Sequence, residues 1–320
     1  MVKIFVAGHN GMVGSSIVRA LKKNDQNQII TIDRKKLDLI NQKAVLNFFK
    51  KNKPDQVYIA SAKVGGIFSN QNYPADFIYE NIMIQSNIIH SSFLTGVKKL
   101  LFLGSSCIYP KITRQPMKEN QLLTGFLEPT NEAYAISKIA GIKMCESYNK
   151  QFKSQKIDYR SVMPTNLYGI GDNYEPMNSH VIPGLIRRFH EAKINKNKKV
   201  IVWGSGKPKR EFLYVDDLAS ACLNIMNIKY KDFIVLVKPG CSHINVGSGS
   251  EISIKELARK VKDIIRYEGN IIFDKKKPDG TLLKLLDSNT ILKTGWKPKI
   301  NLDDGLILAY NDFLKKQCKF

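Results

Sequence analysis

A short apolar segment followed by three spaced glycines constrains this chain more than any other feature. Ile4–Ala7 has the composition of a fully buried strand, and Gly8, Gly11 and Gly14 follow it directly. Glycines in this order allow a tight turn and let the main chain approach a pyrophosphate at the N-terminus of the next helix. The pattern predicts a strand, a turn and a helix that together bind a dinucleotide.

Predicted strands and helices then alternate along the first half of the chain. Apolar strands are predicted at 29–32, 56–60, 99–103 and 159–163, and helices at 43–51, 76–95 and 133–152. Such alternation indicates a parallel sheet covered by helices on both faces, with ligands beyond the carboxyl ends of the strands. The predicted fold class is therefore α/β, a Rossmann-type doubly wound parallel sheet with a smaller α/β substrate-binding lobe.

The regular alternation ends after residue 167, where we expect the smaller lobe to begin. Segment 168–179 is rich in Gly and Asn. Further elements are predicted at 181–192, 200–203, 216–228, 244–246, 253–266, 271–273 and 303–316. Helix 216–228 is expected to return to the first lobe. The predicted dinucleotide-binding domain is 1–167 plus about 214–248, and the predicted substrate-binding lobe is about 168–213 plus 249–320.

The charge of the chain raises the question of nucleic-acid binding. The formal net charge is +22 over 320 residues, and clustered Lys and Arg neutralise phosphates in nucleic-acid complexes. Here the basic runs, such as 193–199 and 275–277, are scattered and lack interleaved aromatic residues. This distribution disfavours nucleic acid and fits attraction of anionic nucleotides instead.

The chain shows no signal for export, membrane insertion or metal binding. Met1–Ala7 does not resemble a signal peptide, and no apolar run approaches the roughly 20 residues that span a bilayer. The five cysteines (Cys107, Cys145, Cys222, Cys241 and Cys318) show neither metal-ligand spacings nor an even disulfide set. We therefore expect a cytoplasmic protein with no membrane association and no metal site.

The end of the second predicted strand bears on the choice of dinucleotide. Asp33 can accept hydrogen bonds from ribose hydroxyls, which favours NAD, whereas the adjacent Arg34 can pair with a 2′-phosphate, which favours NADP. An ordinary exposed charge is the other interpretation of Arg34. Both cofactors stay open on these residues.

A second cluster of polar residues follows the strand predicted at 99–103. Ser105 and Cys107 lie behind that strand, and Tyr134 and Lys138 are spaced to share one face of a helix. An ammonium beside a phenol lowers its pKa from about 10, as the proton donor of a ketone reductase requires. Cys107 could in addition remove a proton from carbon, although free cysteines often serve only as packing residues.

Ordered motifs along nearly the whole chain resemble the extended short-chain dehydrogenase/reductase superfamily and, within it, the GDP-L-fucose synthase family. They are Gly8-His-Asn-Gly-Met-Val-Gly14, Ala62-Lys-Val-Gly-Gly66, Tyr73-Pro-Ala-Asp-Phe-Ile78, Gly104-Ser-Ser-Cys-Ile-Tyr-Pro110, Glu128-Pro-Thr-Asn-Glu132, Tyr134-Ala-Ile-Ser-Lys138, Met163-Pro-Thr-Asn-Leu-Tyr-Gly169, Asn178-Ser-His-Val-Ile-Pro183, Trp203-Gly-Ser-Gly206, Arg210-Glu-Phe-Leu213 and Lys277-Pro-Asp-Gly280.

The resemblance implies a bifunctional NADPH-dependent 3,5-epimerase and 4-reductase that converts GDP-4-keto-6-deoxy-D-mannose to GDP-L-fucose. It also implies a homodimer, formed through helices 76–95 and 133–152. A C4-reductase of a related GDP-4-keto-6-deoxy sugar, such as a heptose, is the enzyme alternative. A nucleotide-sensing binding protein is the non-enzyme alternative, since fold alone does not establish activity.

The resemblance also assigns residues to roles. Its catalytic residues are Ser105, Cys107, Tyr134, Lys138 and His180, where His180 is the partner of Cys107 and would otherwise be interpreted as a structural histidine. Its cofactor-binding residues are Gly8, Asn10, Gly11, Met12, Val13, Gly14, Asp33, Arg34, Leu39, Ala62, Ser105, Ser106, Tyr134, Lys138, Pro164, Thr165, Asn166, Leu167 and His180. Its residues for the GDP-sugar are Arg188, Trp203, Arg210, Asp279 and Lys284.

Two of these positions carry reservations. Asn10 departs from the family, whose members commonly have a basic residue there that reaches the 2′-phosphate, so NADP is expected and NAD stays open. Trp203 can stack on the substrate or belong to the core, because aromatic side chains are more often packing residues than ligand platforms.

Overall fold

The structure, a computed structural model, describes residues 1–176, 178–277 and 279–317, without the side chains of Ile67 and Phe68. Cys318, one of the five cysteines considered above, and Pro278, part of the last quoted motif, lie outside the described residues.

The secondary structure comprises the following elements. The strands are β1 (Val2–Ala7), β2 (Asn27–Ile30), β3 (Gln56–Ile59), β4 (Lys99–Leu103), β5 (Asp158–Pro164), β6 (Asn166–Tyr168), β7 (Lys199–Trp203), β8 (Lys209–Tyr214), β9 (His243–Val246), β10 (Glu251–Ser253), β11 (Asn270–Asp274) and β12 (Leu283–Lys284). The helices are α1 (Met12–Leu21), α2 (Gln42–Asn52), α3 (Ile67–Asn72), α4 (Pro74–Leu94), α5 (Glu132–Gln151), α6 (Val181–Ile194), α7 (Val215–Asn227), α8 (Tyr230–Leu236), α9 (Ile254–Ile265), α10 (Asn289–Leu292) and α11 (Leu302–Gln317).

A six-stranded parallel sheet forms the centre of the molecule, as the alternation predicted. Its strand order is β2-β1-β3-β4-β5-β9. The chain moves from β1 to β2 on one side and then crosses to β3 on the other, so the order reverses between β1 and β3. A crevice at the carboxyl ends of strands, where the order reverses, is the usual ligand site of this fold. Gly8 lies directly at this point.

Both faces of this sheet are covered by apolar helices. On one face, buried residues of α2, α4 and α5 pack against the strands, among them Phe49, Ile88 and Ile142. On the other face, α1 and α7 contribute Ile17 and Leu218. Burial on both faces explains why the strand sequences are continuously apolar and do not alternate between apolar and polar residues.

Smaller sheets lie beside the central one. β8 pairs with β10, β12 and β6, while β11 pairs with β7. A third core cluster from α6, α9 and α11 packs on these strands. The sequence did not predict β6, β8, β10, β12, α3, α8 or α10, and β2 ends at Ile30 instead of Ile32. Most of these strands have only two or three residues, too few for a periodic pattern to appear.

Within the described ranges, no helix is long and apolar enough to cross a membrane. The same residues contain no group of three or more His, Cys, Asp or Glu side chains that could hold a metal ion.

Candidate active site

The glycine loop between β1 and α1 leaves no room for side chains at two of its three glycines. Gly8 has φ of +84°, and a Cβ there would lie 2.7 Å from the main-chain nitrogen of Ser61. A Cβ on Gly14 would overlap the carbonyl oxygen of Gly8, whereas one on Gly11 would lie 3.4 Å from it. The loop is therefore a close-packed main-chain cradle.

The first main-chain N–H groups of α1 face this cradle. Gly11 is the N-cap residue, the first turn contains no acidic residue, and no described side chain caps it. Uncapped N–H groups and the positive end of the helix dipole favour an anion. The residues thus fit the diphosphate of a dinucleotide.

Asp33 is held at the edge of the cradle. The amide of Asn10 donates to its carboxylate at 2.7 Å, and His9 lies 3.4 Å from the same oxygen. Arg34 is 79% exposed and lies 3.7 Å from Glu80. Arg34 is therefore free to reorient toward a phosphate, while Asn10 and Asp33 form a polar pair suited to ribose hydroxyls.

Ser105 and Cys107 lie just beyond the carboxyl end of β4. Ser105 caps a short 3₁₀ helix, Ser106–Ile108, and its hydroxyl accepts from the N–H of Cys107 at 3.5 Å. Ser106 and Cys107 are buried. The turn thus presents a hydroxyl and a thiol at one end of the sheet.

Lys138 reaches the same place from α5. Its ammonium, in a side chain only 4% exposed, donates to the carbonyl of Leu103 at 2.8 Å. It also lies 5.7 Å from the centre of the Tyr134 ring. Burial lowers the pKa of Lys138 to about 8, an effect that the nearby Cys107 opposes.

Tyr134 completes the group. Burial raises the pKa of its phenol well above the usual value, the charge of Cys107 adds to this rise, and a hydrogen bond with Ser105 opposes it. The phenol of Tyr134 is therefore held in its protonated form beside Ser105. The lowering of this pKa by Lys138 that the helical spacing predicted is not found, because burial is the largest effect on the phenol and the opposing effect comes from Ser105.

Cys107 has a charged neighbour that sequence spacing could not reveal. Burial raises the pKa of its thiol, and Lys284 gives the largest opposing effect, ahead of Ser105 and Lys138. Lys284 belongs to β12, and only the resemblance implied a role for it, in binding the GDP-sugar. The structure brings its ammonium into the surroundings of the thiol, where a positive charge stabilises a thiolate.

The segment Pro164–Leu167 leaves the central sheet between β5 and β6. Thr165 and Asn166 donate to the main-chain oxygen of Glu211 at 3.2 and 2.8 Å. The side chain of Asn166 is therefore engaged in holding this segment to β8. Leu167 packs against the core beside α7.

The remaining predicted cofactor residues border the glycine loop less directly. Met12 and Val13 form the first turn of α1 and pack on the third core cluster. Leu39 packs against the core under α2, and its carbonyl accepts from Asn87 at 2.9 Å. Ala62 follows β3, and the next residue, Lys63, bonds Asn81 through its main-chain N–H at 2.8 Å.

His180 is the N-cap residue of α6. Its side chain is exposed, yet its surroundings remove enough water to lower the pKa of the imidazole. Two residues earlier, Asn178 accepts a hydrogen bond from Ser69 of α3 at 2.6 Å. The segment before His180 is thus joined to the segment that follows β3.

Three of the predicted GDP-sugar residues lie on the smaller sheets, namely Trp203 on β7, Arg210 on β8 and Lys284 on β12. Arg188 lies on α6, and Asp279 lies between β11 and β12. Trp203 is 63% exposed, which excludes the core interpretation, and Lys277 lies 5.3 Å from its ring. Asp279 accepts from Ser205 at 2.6 Å. An exposed indole at a strand end is available for stacking.

Two arginines belong to this group. Arg188 donates to the carbonyls of Gly184 and Ile201, and Arg210 donates to those of Lys209 and Thr281. Burial lowers the pKa of both guanidinium groups. Arg210 is paired in register with Lys284 on β12, so two cations lie side by side.

Sequence reasoning missed two groups at the site. Glu211 is fully buried beneath the site, and Lys63 pairs with Asp76 and Glu80 at 2.9 and 2.5 Å near the cradle. The only signal for Glu211 was its place in the motif that begins at Arg210. Nothing in the spacing pointed to the ion pairs of Lys63.

A parallel sheet with a glycine cradle at its switch point, and a tyrosine–lysine pair beside β4, defines the dinucleotide-binding short-chain dehydrogenase class. The chain belongs to the NAD dependent epimerase/dehydratase family, whose model matches residues 4–235. Within that family it groups with the GDP-L-fucose synthases. It is 53% identical to GDP-L-fucose synthase of Escherichia coli (strain K12), over 99% of this chain and 98% of that protein. It is also 53% identical to GDP-L-fucose synthase 1 of Arabidopsis thaliana, over 99% and 94% of the two chains.

Solved structures agree with this placement. A GDP-6-OMe-4-keto-L-xylo-heptose reductase from C. jejuni superimposes with a TM-score of 0.92 at 40% identity, covering 99% and 98% of the two chains. A GDP-L-fucose synthetase from Naegleria fowleri, bound to NADP, gives 0.87 at 27% identity, covering 99% and 95%.

Proposed function

We propose that this protein is a bifunctional NADPH-dependent 3,5-epimerase and 4-reductase that converts GDP-4-keto-6-deoxy-D-mannose to GDP-L-fucose. One observation carries the proposal. The thiol of Cys107 interacts with Ser105, Tyr134 and Lys138, so a carbon base and a ketone-reducing set meet at the end of β4. Full-length similarity to GDP-L-fucose synthases supports the same activity.

Epimerisation requires removal of protons from C3 and C5, which flank the keto group at C4. Tyr134 and Ser105 donate to the keto oxygen and stabilise the negative charge that develops there. Cys107, with its thiolate favoured by Lys284, takes the proton from one face of the sugar. His180, the N-cap residue of α6, returns a proton to the other face.

Reduction follows at C4 in the same pocket. When bound, NADPH supplies the hydride. Tyr134 gives its proton to the C4 oxygen, and Lys138 stabilises the phenolate that remains. Lys138 is held for this role by Leu103 and by its place one turn after Tyr134 on α5.

The GDP part of the substrate is bound by residues of the smaller sheets, of α6 and of the segment between β11 and β12. Arg188, Arg210 and Lys284 supply positive charge for the diphosphate, Trp203 offers an exposed ring for stacking, and Asp279 accepts from base or sugar hydroxyls. This division supports the predicted boundaries, with 1–167 plus about 214–248 for the cofactor and the rest for GDP-sugar. The pairing of β9 with β5 supports the return to the first domain.

NADP is the proposed cofactor. The Naegleria fowleri relative is bound to NADP, as is a GDP-mannoheptose C4 reductase from Campylobacter jejuni that is 40% identical. In this chain the exposed Arg34 is the cation available for a 2′-phosphate. Rates with NADPH and NADH test this choice, and a clear preference for NADH rejects it.

A second candidate is reduction at C4 of a related GDP-4-keto sugar. It is favoured by the C. jejuni GDP-heptose reductase, which superimposes with a TM-score of 0.92. A non-catalytic nucleotide sensor is disfavoured, because Ser105, Tyr134 and Lys138 are all present and brought together.

Incubation with GDP-4-keto-6-deoxy-D-mannose and NADPH in deuterated water tests the proposal. The expected product is GDP-L-fucose with deuterium at C3 and C5. Reduction without label at either carbon rejects the epimerase activity and leaves the C4-reductase. Absence of both label and NADPH oxidation rejects the enzyme altogether.

We further propose a cytoplasmic homodimer assembled through α4 and α5. Apolar side chains on these helices are exposed or half-buried, including Tyr79, Ile82, Met83 and Ile136. Helices that are apolar on several faces need cover on each of them. Light scattering should give twice the chain mass, and Ile136→Lys should lower it to that of one chain.

A further inference from the structure

Glu211 is a fully buried carboxylate whose partners come from separate parts of the chain. One oxygen accepts from the N–H of Gly249 at 2.8 Å, and the other accepts from the N–H of Leu286 at 3.0 Å. Gly249 follows β9, and Leu286 follows β12. The side chain therefore ties both segments to β8.

The main chain of the same residue holds a third segment. Its carbonyl accepts from Thr165 and Asn166, at 3.2 and 2.8 Å, in the segment that joins β5 to β6. The residue before it is Arg210, which is paired in register with Lys284. Glu211 thus lies between the segment Pro164–Leu167 and the two cations assigned to the diphosphate.

The fit around the carboxylate is close. A Cβ on Gly247 would overlap it, so no larger residue can stand there while Glu211 keeps its place. Burial raises the pKa of this carboxyl, and the N–H groups of Leu286 and Gly249 oppose that rise. The free-energy cost of burying this carboxylate is offset by hydrogen bonds from main-chain N–H groups, and no described cation pairs with it. Hydrogen bonds of this kind fix the position of the segments that donate them.

We propose that Glu211 is a positioning residue that fixes β12, and with it Lys284, relative to Arg210 and the cofactor-side segment Pro164–Leu167. The inference rests on the proposed function for the roles of Arg210 and Lys284. A carboxylate is required because both of its oxygens accept from main-chain N–H groups. An amide would present a donor to one of them.

The test compares Glu211→Gln with a matched variant, Asp217→Asn. Asp217 is buried as well, and its two carboxylate oxygens likewise accept from main-chain N–H groups, here those of Lys299 and Ile300 at 3.0 and 2.9 Å. Its partners lie in the segment before α11, not in β12. The two substitutions therefore make the same chemical change at different places.

Binding of GDP and of NADPH is measured by calorimetry, together with the melting temperature and KM for the keto sugar. In Glu211→Gln, GDP binding should weaken and KM should rise by about 10- to 100-fold, because the cations are misplaced. NADPH binding should stay within about twofold. Asp217→Asn should leave GDP binding, NADPH binding and KM within about twofold of the wild type, although it too should lower the melting temperature.

Unchanged GDP binding in a folded Glu211→Gln protein overturns the proposal, as does an equal loss of GDP and NADPH binding. If Glu211→Gln does not fold, Glu211→Asp is measured in the same way, and failure of both to fold assigns Glu211 to general stability and rejects the positioning role. GDP binding needs no turnover. Wild-type protein that binds GDP without converting the keto sugar would reject the proposed function and leave this comparison intact.

Discussion

The ammonium of Lys138 donates to the carbonyl of Leu103, 2.8 Å away at the carboxyl end of β4. This bond anchors α5 to the central sheet at the point where Ser105 and Cys107 begin. It also keeps a buried cation beside the phenol of Tyr134. Since burial lowers the pKa of Lys138 to about 8, its charge varies within the range accessible to a rate measurement.

Reduction should therefore weaken at alkaline pH. Lys138 is protonated below a pH of about 8 and loses its charge above it, so kcat/KM for NADPH oxidation should fall through that pH. Lys138→Met should lower the rate by about 10²- to 10⁴-fold and remove this dependence. Profiles from pH 6 to 10 for both proteins check the prediction. An alkaline decrease that persists in Lys138→Met would assign it to another group.

Replacement of Cys107 by Ser should separate the two reactions. An alcohol is a far weaker base than a thiolate, so deuterium incorporation at C3 and C5 should fall by about 100-fold or more. Reduction at C4 should continue within about tenfold and yield the product with unchanged C3 and C5. Mass spectrometry and NMR of the product measure both. Cys145→Ser is the control, because Cys145 is a fully buried thiol on α5 that belongs to neither the proposed catalytic nor the proposed binding residues.

The glycine cradle predicts opposite outcomes for neighbouring substitutions. Gly14→Ala places a Cβ on the carbonyl oxygen of Gly8 and should abolish detectable NADPH binding. Gly11→Ala, with its Cβ 3.4 Å from the same oxygen, should retain binding within about tenfold. Nicotinamide fluorescence titration distinguishes them. Equal loss in the two variants would show that the close approach of Gly14 to Gly8 is not the cause.

Arg34→Ala should change cofactor preference more than activity. Arg34 is exposed and lies 3.7 Å from Glu80 at the protein surface, so its removal should not perturb the fold. We expect KM for NADPH to rise by about 10-fold and KM for NADH to stay constant, because only the former carries a 2′-phosphate. Arg259→Ala, at an exposed site on α9, is the control. A parallel rise for both cofactors would contradict the assignment.

Asp172 should make stability depend on pH. Burial raises the pKa of its carboxyl from 3.8 to about 7, with opposing effects from the N–H of Asn173 and from Lys316. The folded state thus binds the proton more tightly than the unfolded state. The stabilisation of the folded state by the protonated carboxyl of Asp172 is complete below about pH 4 and is lost as the pH rises through about 7.

Asp172→Asn lacks that titration. Its free energy of unfolding should exceed that of the wild type by about 4 kcal/mol at pH 8, and the gain should vanish near pH 4. Urea unfolding at a series of pH values measures the difference. A constant difference across the series would mean that the carboxyl does not titrate in this range.

The central sheet and its cofactor end could be predicted because the signals there are local. Ile4–Ala7 is continuous apolar sequence, and the glycines follow it at once, so both strand and cradle are visible in a few residues. Tyr134 and Lys138 are likewise joined by helical spacing alone. The expected homodimer, domain boundaries and residue roles stay predictions.

The smaller sheets could not be predicted for the opposite reason. Leu283–Lys284 is a two-residue strand, and its pairing with β8 arises only after the chain has folded. Glu211 bonds main-chain groups of Gly249 and Leu286, and main-chain groups have no sequence signature. The closeness of Lys284 to Cys107 is tertiary in the same way.

The uncapped N–H groups in the first turn of α1 link cofactor binding to the stability of the folded chain. Its N–H groups have no capping side chain among the described residues, so a bound phosphate completes the helix that the sequence leaves open. Any molecule that binds only the folded state stabilises it in proportion to the logarithm of its concentration. The nucleotide pool of a cell would then set how long each copy survives, as well as how fast it works.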